Sequence, residues 1–142
     1  MNEDTNSIIR AFLVLQPSLT DVVGTRIYCP RLPEYTELPA LGFFTRGGVS
    51  NPYIPGIVSP SVQFDCWAKD EVDLAGPMGA RKVYRALYDV LQGIQNQTVT
   101  VDGSDYLILS AREEVQGQDL QDVDIPSYFR TLCFFEIMIM AE

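Results

Sequence analysis

The chain has 142 residues, 46% of them hydrophobic, which is enough to build the core of one ordinary domain spanning residues 1–142. Its net charge of −9 disfavours nucleic-acid phosphates and anionic lipids as bound partners, because both would be repelled. The absence of histidine removes the commonest general base and metal ligand at neutral pH.

The N-terminal third predicts a helix followed by two strands. Residues 7–15 carry an apolar stripe at helical spacing, preceded by residues that can cap a helix. The stripe consists of Ile8, Ile9, Phe12 and Leu15. The next segment, 18–23, is expected to be a short turn or helix that ends before a glycine. Strands are predicted at 26–29 and 39–46, joined by a proline-rich surface loop.

Residues 47–60 are predicted to form a long loop. The segment contains three glycines, three prolines and no charge. A loop of this length in a compact domain usually has a function or becomes ordered on meeting a partner. Two interpretations remain open: a docking arm that presents Tyr53 and Ile54 to a partner, or a mobile hairpin tip.

Residues 61–68 alternate apolar and polar side chains, which predicts a half-buried strand with Asp65 on its polar side. The main helix is predicted over 70–94, with Asp70 as its cap and a buried stripe that starts at Val72. Gly76-Pro77 interrupts this helix, so it either starts late or kinks.

Asp65 and Asp70 could form a carboxylate pair, but strand surface and helix cap explain them better. Three basic residues, Arg81, Lys82 and Arg85, give the helix a basic edge, for which a solvated face or a subunit contact is favoured over a nucleic-acid groove.

The C-terminal part predicts a hairpin over 97–115 that turns at Asp102-Gly103, then the acidic loop "QGQDLQDVDIPSY", then a last strand over 128–141. The predicted order is therefore α-β-β-β-α-β-β-β. This order indicates the α+β class, with a mostly antiparallel sheet and two helices packed on one face.

The last strand is apolar on both faces. One face carries Cys133, Phe135, Ile137 and Ile139, and the other carries Leu132, Phe134, Met138 and Met140. One helix layer can cover only one face, so the second is expected to be buried against another subunit. The alternative is a strand that is central to a two-layer sandwich within the monomer. Trp67, on the polar side of its strand, also favours an interface. The predicted subunit or partner interface comprises Trp67, Phe134, Met138, Met140, Tyr53 and Ile54.

The sequence shows no pattern for a catalytic, cofactor or metal site. The cysteines Cys29, Cys66 and Cys133 lie far apart in apolar segments and form no CxxC pair. They are interpreted as free thiols in a reducing compartment. The longest apolar run is interrupted by Glu136 and is too short for a membrane helix, and the N-terminus lacks the apolar core of a secretory signal. A soluble protein without a membrane partner is expected.

Two segments, "VGTRIY" (23–28) and "VQFDCWAKDEVDLAGPMGARKVYRAL" (62–87), carry a resemblance to a known family. With the hairpin and the apolar last strand, the arrangement over nearly the whole chain resembles the tail completion, or tail-terminator-like, proteins of long-tailed bacteriophages. This family includes head–tail joining proteins. The family pattern runs smoothly from strand into helix, and Gly76-Pro77 departs from it.

The resemblance implies a structural protein and no enzyme. It implies a ring, commonly a hexamer, at the head-proximal end of the tail, which ends tube growth and joins the tail to the head connector. The implied partners are copies of the chain itself, the tail tube protein and a head connector or neck protein, and DNA would pass through the lumen without specific binding. The implied location is the neck region of the virion tail, assembled in the host bacterial cytoplasm.

Two other functions remain open. The first is a minor neck or tail protein at another ring. The second is a small ligand-binding or enzymatic α+β domain that uses Asp65, Asp70 or the 47–60 segment. No cofactor is expected in the favoured case.

Overall fold

The computed structural model describes residues 4–34, 36–50 and 52–141. Within these ranges it has the α+β class predicted from the sequence, with a six-stranded, mostly antiparallel sheet. The elements are α1 Thr5–Leu13, α2 Pro17–Val23, β1 Ile27–Tyr28, β2 Ala40–Ser50, β3 Ile57–Lys69, α3 Gly76–Leu91, β4 Gln95–Val101, β5 Ser104–Gln121 and β6 Tyr128–Ala141. The described residues contain three helices, not two, because the segment that begins at Pro17 is helical.

The strands are ordered β1-β2-β3-β6-β5-β4, and only β1 and β2 run parallel. The longest strands, β3, β5 and β6, therefore lie together in the middle of the sheet. Helix α1 contacts both β1 and β4, which are the two edges, so the sheet curls around it. Two hydrogen bonds fix this helix: Arg10 Nε donates to the Ile27 carbonyl at 3.0 Å, and Thr45 Oγ1 bonds Asn6 Oδ1 at 2.6 Å.

Helix α1 begins after Asp4, whose carboxylate accepts a hydrogen bond from the Asn6 amide at 3.1 Å. Ile8, Ile9 and Phe12 are buried as predicted. Leu15 is 68% exposed, so its assignment to the buried stripe was wrong. The helix ends at Leu13, and the chain turns before Leu15 can join the buried side.

The prediction of a long loop over 47–60 is wrong for most of its length. Strand β2 continues to Ser50 and β3 starts at Ile57, so only the short segment between them connects the two strands. A bulge between Thr45 and Gly48 lets the pairing continue. Gly48 has φ of +134°, and a Cβ there would collide with the Ser59 carbonyl oxygen, so the glycine permits the strand rather than breaking it.

Helix α3 starts late, at Gly76, with Pro77 in its first turn where no intrahelical donor is needed. The predicted start at residue 70 is therefore wrong, and Val72 is fully exposed outside the helix. Asp70 is not the N-cap residue, but its Oδ1 accepts the Gly76 amide at 2.8 Å and so satisfies one of the free donors of the first turn.

The predicted acidic loop is mostly strand. β5 runs to Gln121 and pairs with β6 from Gln118↔Leu132 to Gln121↔Phe129, which leaves a turn over 122–127. The irregularity between Val115 and Gln118 accommodates Gly117 in this pairing. At Gly117 a side chain would come within 2.7 Å of Thr131 Cγ2, so the strands approach closely there.

One continuous core joins the buried sides of the helices to one face of the sheet. At its centre, Phe64 stacks on Phe43 with ring centroids 5.7 Å apart and meets Phe135 edge to face at 5.8 Å. The buried residues of β6 alternate strictly from Thr131 to Ile139. The sheet therefore has an inner face, which lines this core, and an outer face, formed by the intervening side chains.

Candidate interaction surface

The outer face carries partly exposed apolar side chains among polar ones. Four strands contribute to one row across it, in which Phe44, Gln63, Phe134 and Val115 are paired in register. Phe44 and Phe134 are partly exposed, and Val115 is exposed. Other partly exposed apolar side chains of β3 and β6 on this face include Trp67, Leu132, Met138 and Met140.

A polar ladder crosses the centre of the outer face. Arg46 Nη1 donates to Gln63 Oε1 at 3.0 Å, and Gln63 Nε2 lies 3.4 Å from both carboxylate oxygens of Asp65. Arg130 Nη1 donates to Asp65 Oδ1 at 3.3 Å. The ladder therefore links β2, β3 and β6 through hydrogen bonds between side chains.

Each arginine of the ladder also covers an aromatic ring. The Arg46 guanidinium lies 5.8 Å from the Phe134 ring centroid, and that of Arg130 lies 5.4 Å from the Trp67 centroid. Arginine, tryptophan, phenylalanine and methionine are enriched at protein interfaces. The outer face therefore has the composition of a recognition surface.

Asp65 is only 9% exposed although it lies on the outer face, so its interpretation as plain strand surface needs correction. Gly42, its paired residue on β2, has Leu32 of the proline-rich loop packed against it, which helps to cover this part of the face. Burial raises the pKa of Asp65, and the nearby charge of Arg130 and the hydrogen bond from Gln63 oppose this rise. Asp65 and Asp70 have different partners, since Asp70 bonds the start of α3.

The six predicted interface residues fall into two groups. Trp67, Phe134, Met138 and Met140 share the outer face. Tyr53 and Ile54 lie at the tip between β2 and β3, where they are 91% and 50% exposed. The tip lies at the Met140 end of the face, because Ile57, which follows it, pairs with Met140.

Sequence reasoning missed the two arginines of the ladder. The available signal was a single positive charge in an otherwise apolar strand, at Arg46 in β2 and at Arg130 in β6. Their positions relative to Trp67 and Phe134 depend on strand register, which the local sequence does not specify.

A second feature is a cleft of about 630 Å³ between α3 and β5, which lies on the other side of the helix from the core. Tyr84 donates from its hydroxyl to Glu113 Oε2 at 2.5 Å, and Arg81 Nε pairs with Asp119 Oδ1 at 3.1 Å. Burial and the Glu113 carboxylate raise the pKa of Tyr84 to about 12. Arg81 is therefore part of an ion pair, whereas Arg85 on the same helix is exposed.

The end of α3 covers the edge of β5 where β4 no longer pairs with it. Gln92 Oε1 accepts the Glu113 amide at 2.6 Å, and the Gly93 amide donates to the Ala111 carbonyl at 3.0 Å. A strand edge with satisfied backbone groups is protected from pairing with another chain. The end of α3 therefore protects this part of the β5 edge.

The three cysteines are free, and Cys66 and Cys133 are fully buried. Burial raises the pKa of the Cys66 thiol well above its ordinary value. Within the described ranges, no group of three or more histidine, cysteine or acidic side chains is placed to hold a metal ion. None of the helices described is long and apolar enough to cross a membrane.

Comparison with known protein families finds no family model that matches the chain. Comparison with curated proteins also finds no match.

Proposed function

We propose that this chain is a structural subunit of a bacteriophage tail that assembles into a ring at the head-proximal end of the tail tube. The ring ends tube growth and presents a surface to the head connector. In this proposal the three helices pack on one face of the sheet. The opposite face is then available for contacts between subunits.

One observation carries the proposal: the outer face presents partly exposed Leu132, Phe134, Met138 and Met140 beside Trp67 and two arginines. Removing apolar surface from water stabilises association by roughly 25 cal/mol per Å² before the costs of association. A surface with this composition favours a protein–protein interface over solvent exposure.

Two further features support a role in a tail. The stretch from Gly47 to Phe64, which includes the connection between β2 and β3, has no charged residue. Its tip exposes Tyr53 and Ile54, which suits docking on a neighbouring protein. The net charge of −9 suits a lumen through which DNA moves without adhering. The partners proposed are other copies of the chain, the tail tube protein and the head connector or neck protein.

The first experiment measures the mass of the purified protein by light scattering and searches for rings by negative-stain electron microscopy. Rings with a central channel are expected. A protein that stays monomeric at high concentration, with no ring on the electron-microscope grid, contradicts self-assembly.

The second experiment removes the gene from the phage that encodes it. Filled heads and separate tails are expected, and irregular tail length would indicate that the ring also ends tube growth. Separate heads with tails of normal length would favour a neck protein at another ring. Normal virions from the deletion strain would contradict the proposal.

A further inference from the structure

Arg46 differs from the other arginines of the outer face because no described carboxylate forms an ion pair with it. Arg130 is paired with Asp65 at 3.3 Å, and Arg112 is paired with Glu136 at 2.9 Å. Arg46 is instead held by the Gln63 amide oxygen and by the Phe134 ring. In a chain with 19 acidic and 10 basic residues, this guanidinium is exposed and is available to a carboxylate from another chain.

Arg46 lies beside a row of apolar side chains that crosses the sheet. Phe44, Phe134 and Val115 lie in the same row of the outer face, and all three are at least partly exposed. We call these three side chains together with Arg46 the Arg46 socket. Such a socket fits an apolar side chain that is flanked by a carboxylate, because both the apolar area and the charge would be complemented.

The turn between β5 and β6 offers this chemistry. Val123 is 90% exposed, and it lies between Asp122 and the exposed Asp124. The turn is ordered by its own hydrogen bonds: the Ile125 amide donates to Asp122 Oδ2 at 3.0 Å, and Gln121 Nε2 donates to the Pro126 carbonyl at 2.7 Å. A fixed turn loses little conformational entropy on binding.

We propose that Val123 and Asp124 of one copy bind the Arg46 socket of the next copy. Val123 would pack on Phe134, and the Asp124 carboxylate would accept hydrogen bonds from the Arg46 guanidinium. The inference rests on the proposed function, since it names the contact through which copies of the chain associate.

The contact is heterologous because the socket and the turn are different parts of the chain. The socket lies on the face of the sheet, whereas the turn lies at the end where β5 passes into β6. A heterologous contact repeats from copy to copy, and it forms a ring where the rotation closes.

The test uses charge reversal and its reciprocal rescue in the full chain. Arg46→Glu and Asp124→Arg are each expected to weaken self-association by at least about tenfold, because each places like charges against each other. The double variant R46E/D124R restores an opposite-charge pair and is expected to recover most of the association. Arg46→Gln, which removes the charge at similar size, is expected to give an intermediate loss. Sedimentation velocity over a concentration series measures all four.

Two controls separate this contact from a general effect of net charge. Arg31→Glu and Asp73→Arg make the same changes at exposed positions outside the sheet. Both are expected to associate as the wild type does. Near-ultraviolet circular dichroism of each variant at low concentration shows whether the monomer is still folded.

Each outcome bears on the inference. Loss in both single variants with recovery in the double variant supports it. If the R46E variant forms rings as the wild type does, the contact is overturned and the proposed function is unaffected. If the wild type itself is monomeric, both the contact and the proposed function are contradicted. Dissociation in R46E without recovery in the double variant, or equal loss in the Arg31 control, overturns the pairing with Asp124. Normal rings in R46E that fail to join heads would show that the socket binds another virion protein instead of a second copy.

Discussion

Neighbouring phenylalanines on β6 provide the most direct test of the two faces of the sheet. Phe135 is fully buried on the inner face and packs edge to face on Phe64 at 5.8 Å, whereas Phe134 is partly exposed on the outer face under Arg46. Phe135→Ala removes a buried ring and leaves a cavity, so it is expected to lower the free energy of unfolding by about 3–5 kcal/mol. For a domain of this size that corresponds to a fall in Tm of about 10 °C.

Phe134→Ala is expected to have the opposite profile. The monomer loses a cation–π contact and part of the apolar packing, together about 1 kcal/mol or a Tm lower by about 3 °C. Self-association is expected to weaken more strongly, since the ring belongs to the proposed contact between copies. Thermal unfolding of dilute protein measures the first effect, and sedimentation velocity of concentrated protein measures the second. If Phe134→Ala destabilises the monomer as much as Phe135→Ala, the outer face is core within the chain and the reasoning fails.

Three further predictions follow from burial and close packing. Asp65→Asn should gain stability relative to the wild type as pH rises from about 4 to 7, because the raised pKa means that ionising this buried carboxyl costs more in the folded chain. Urea midpoints of both proteins at both pH values measure this difference. An opposite trend would mean that the ion pair outweighs burial. Gly117→Ala should destabilise by about 1–3 kcal/mol because its Cβ would lie 2.7 Å from Thr131 Cγ2, whereas Gly56→Ala, with open space around it, should be near neutral; equal urea midpoints for the two variants would refute the steric argument. A thiol reagent should label Cys29 in the native protein and reach the two buried cysteines only on unfolding, and peptide mass spectrometry that finds early labelling of all three would contradict their burial.

The class of the fold could be predicted because local periodicity specifies it. The alternation around Phe64 and the helical stripe through Val83 and Leu87 each depend on neighbouring residues alone. Two segments predicted as loops, 47–60 and 116–128, are partly strand. The end of β2 pairs with β3, and the end of β5 pairs with β6. The local sequence does not reveal this pairing. The glycines of 47–60 favour a loop in the sequence, although Gly48 allows the bulge that continues the strand.

The candidate surface could be predicted only in part. The excess of apolar residues on both sides of β6 predicts, without a structure, that Phe134 and Met138 lie on a face that the helices do not cover. The reason is that one helix layer covers only one face of a sheet. The place of Arg46 over the Phe134 ring could not be predicted, since it depends on the order β2-β3-β6 and on the bulge after Thr45. Long-range pairing decides which charges meet, and single-sequence patterns do not contain it.

The contact of α1 with β4 has a consequence for how the chain folds. The helix precedes β4 in the chain, and this edge contact joins segments about 80 residues apart. Contacts of such long sequence separation slow folding, because a large loop must close before they form. The helix therefore cannot complete its contacts until β4 has been made. The curled sheet closes around it only after β4 has emerged, so its two edges become joined late in a single cooperative unit.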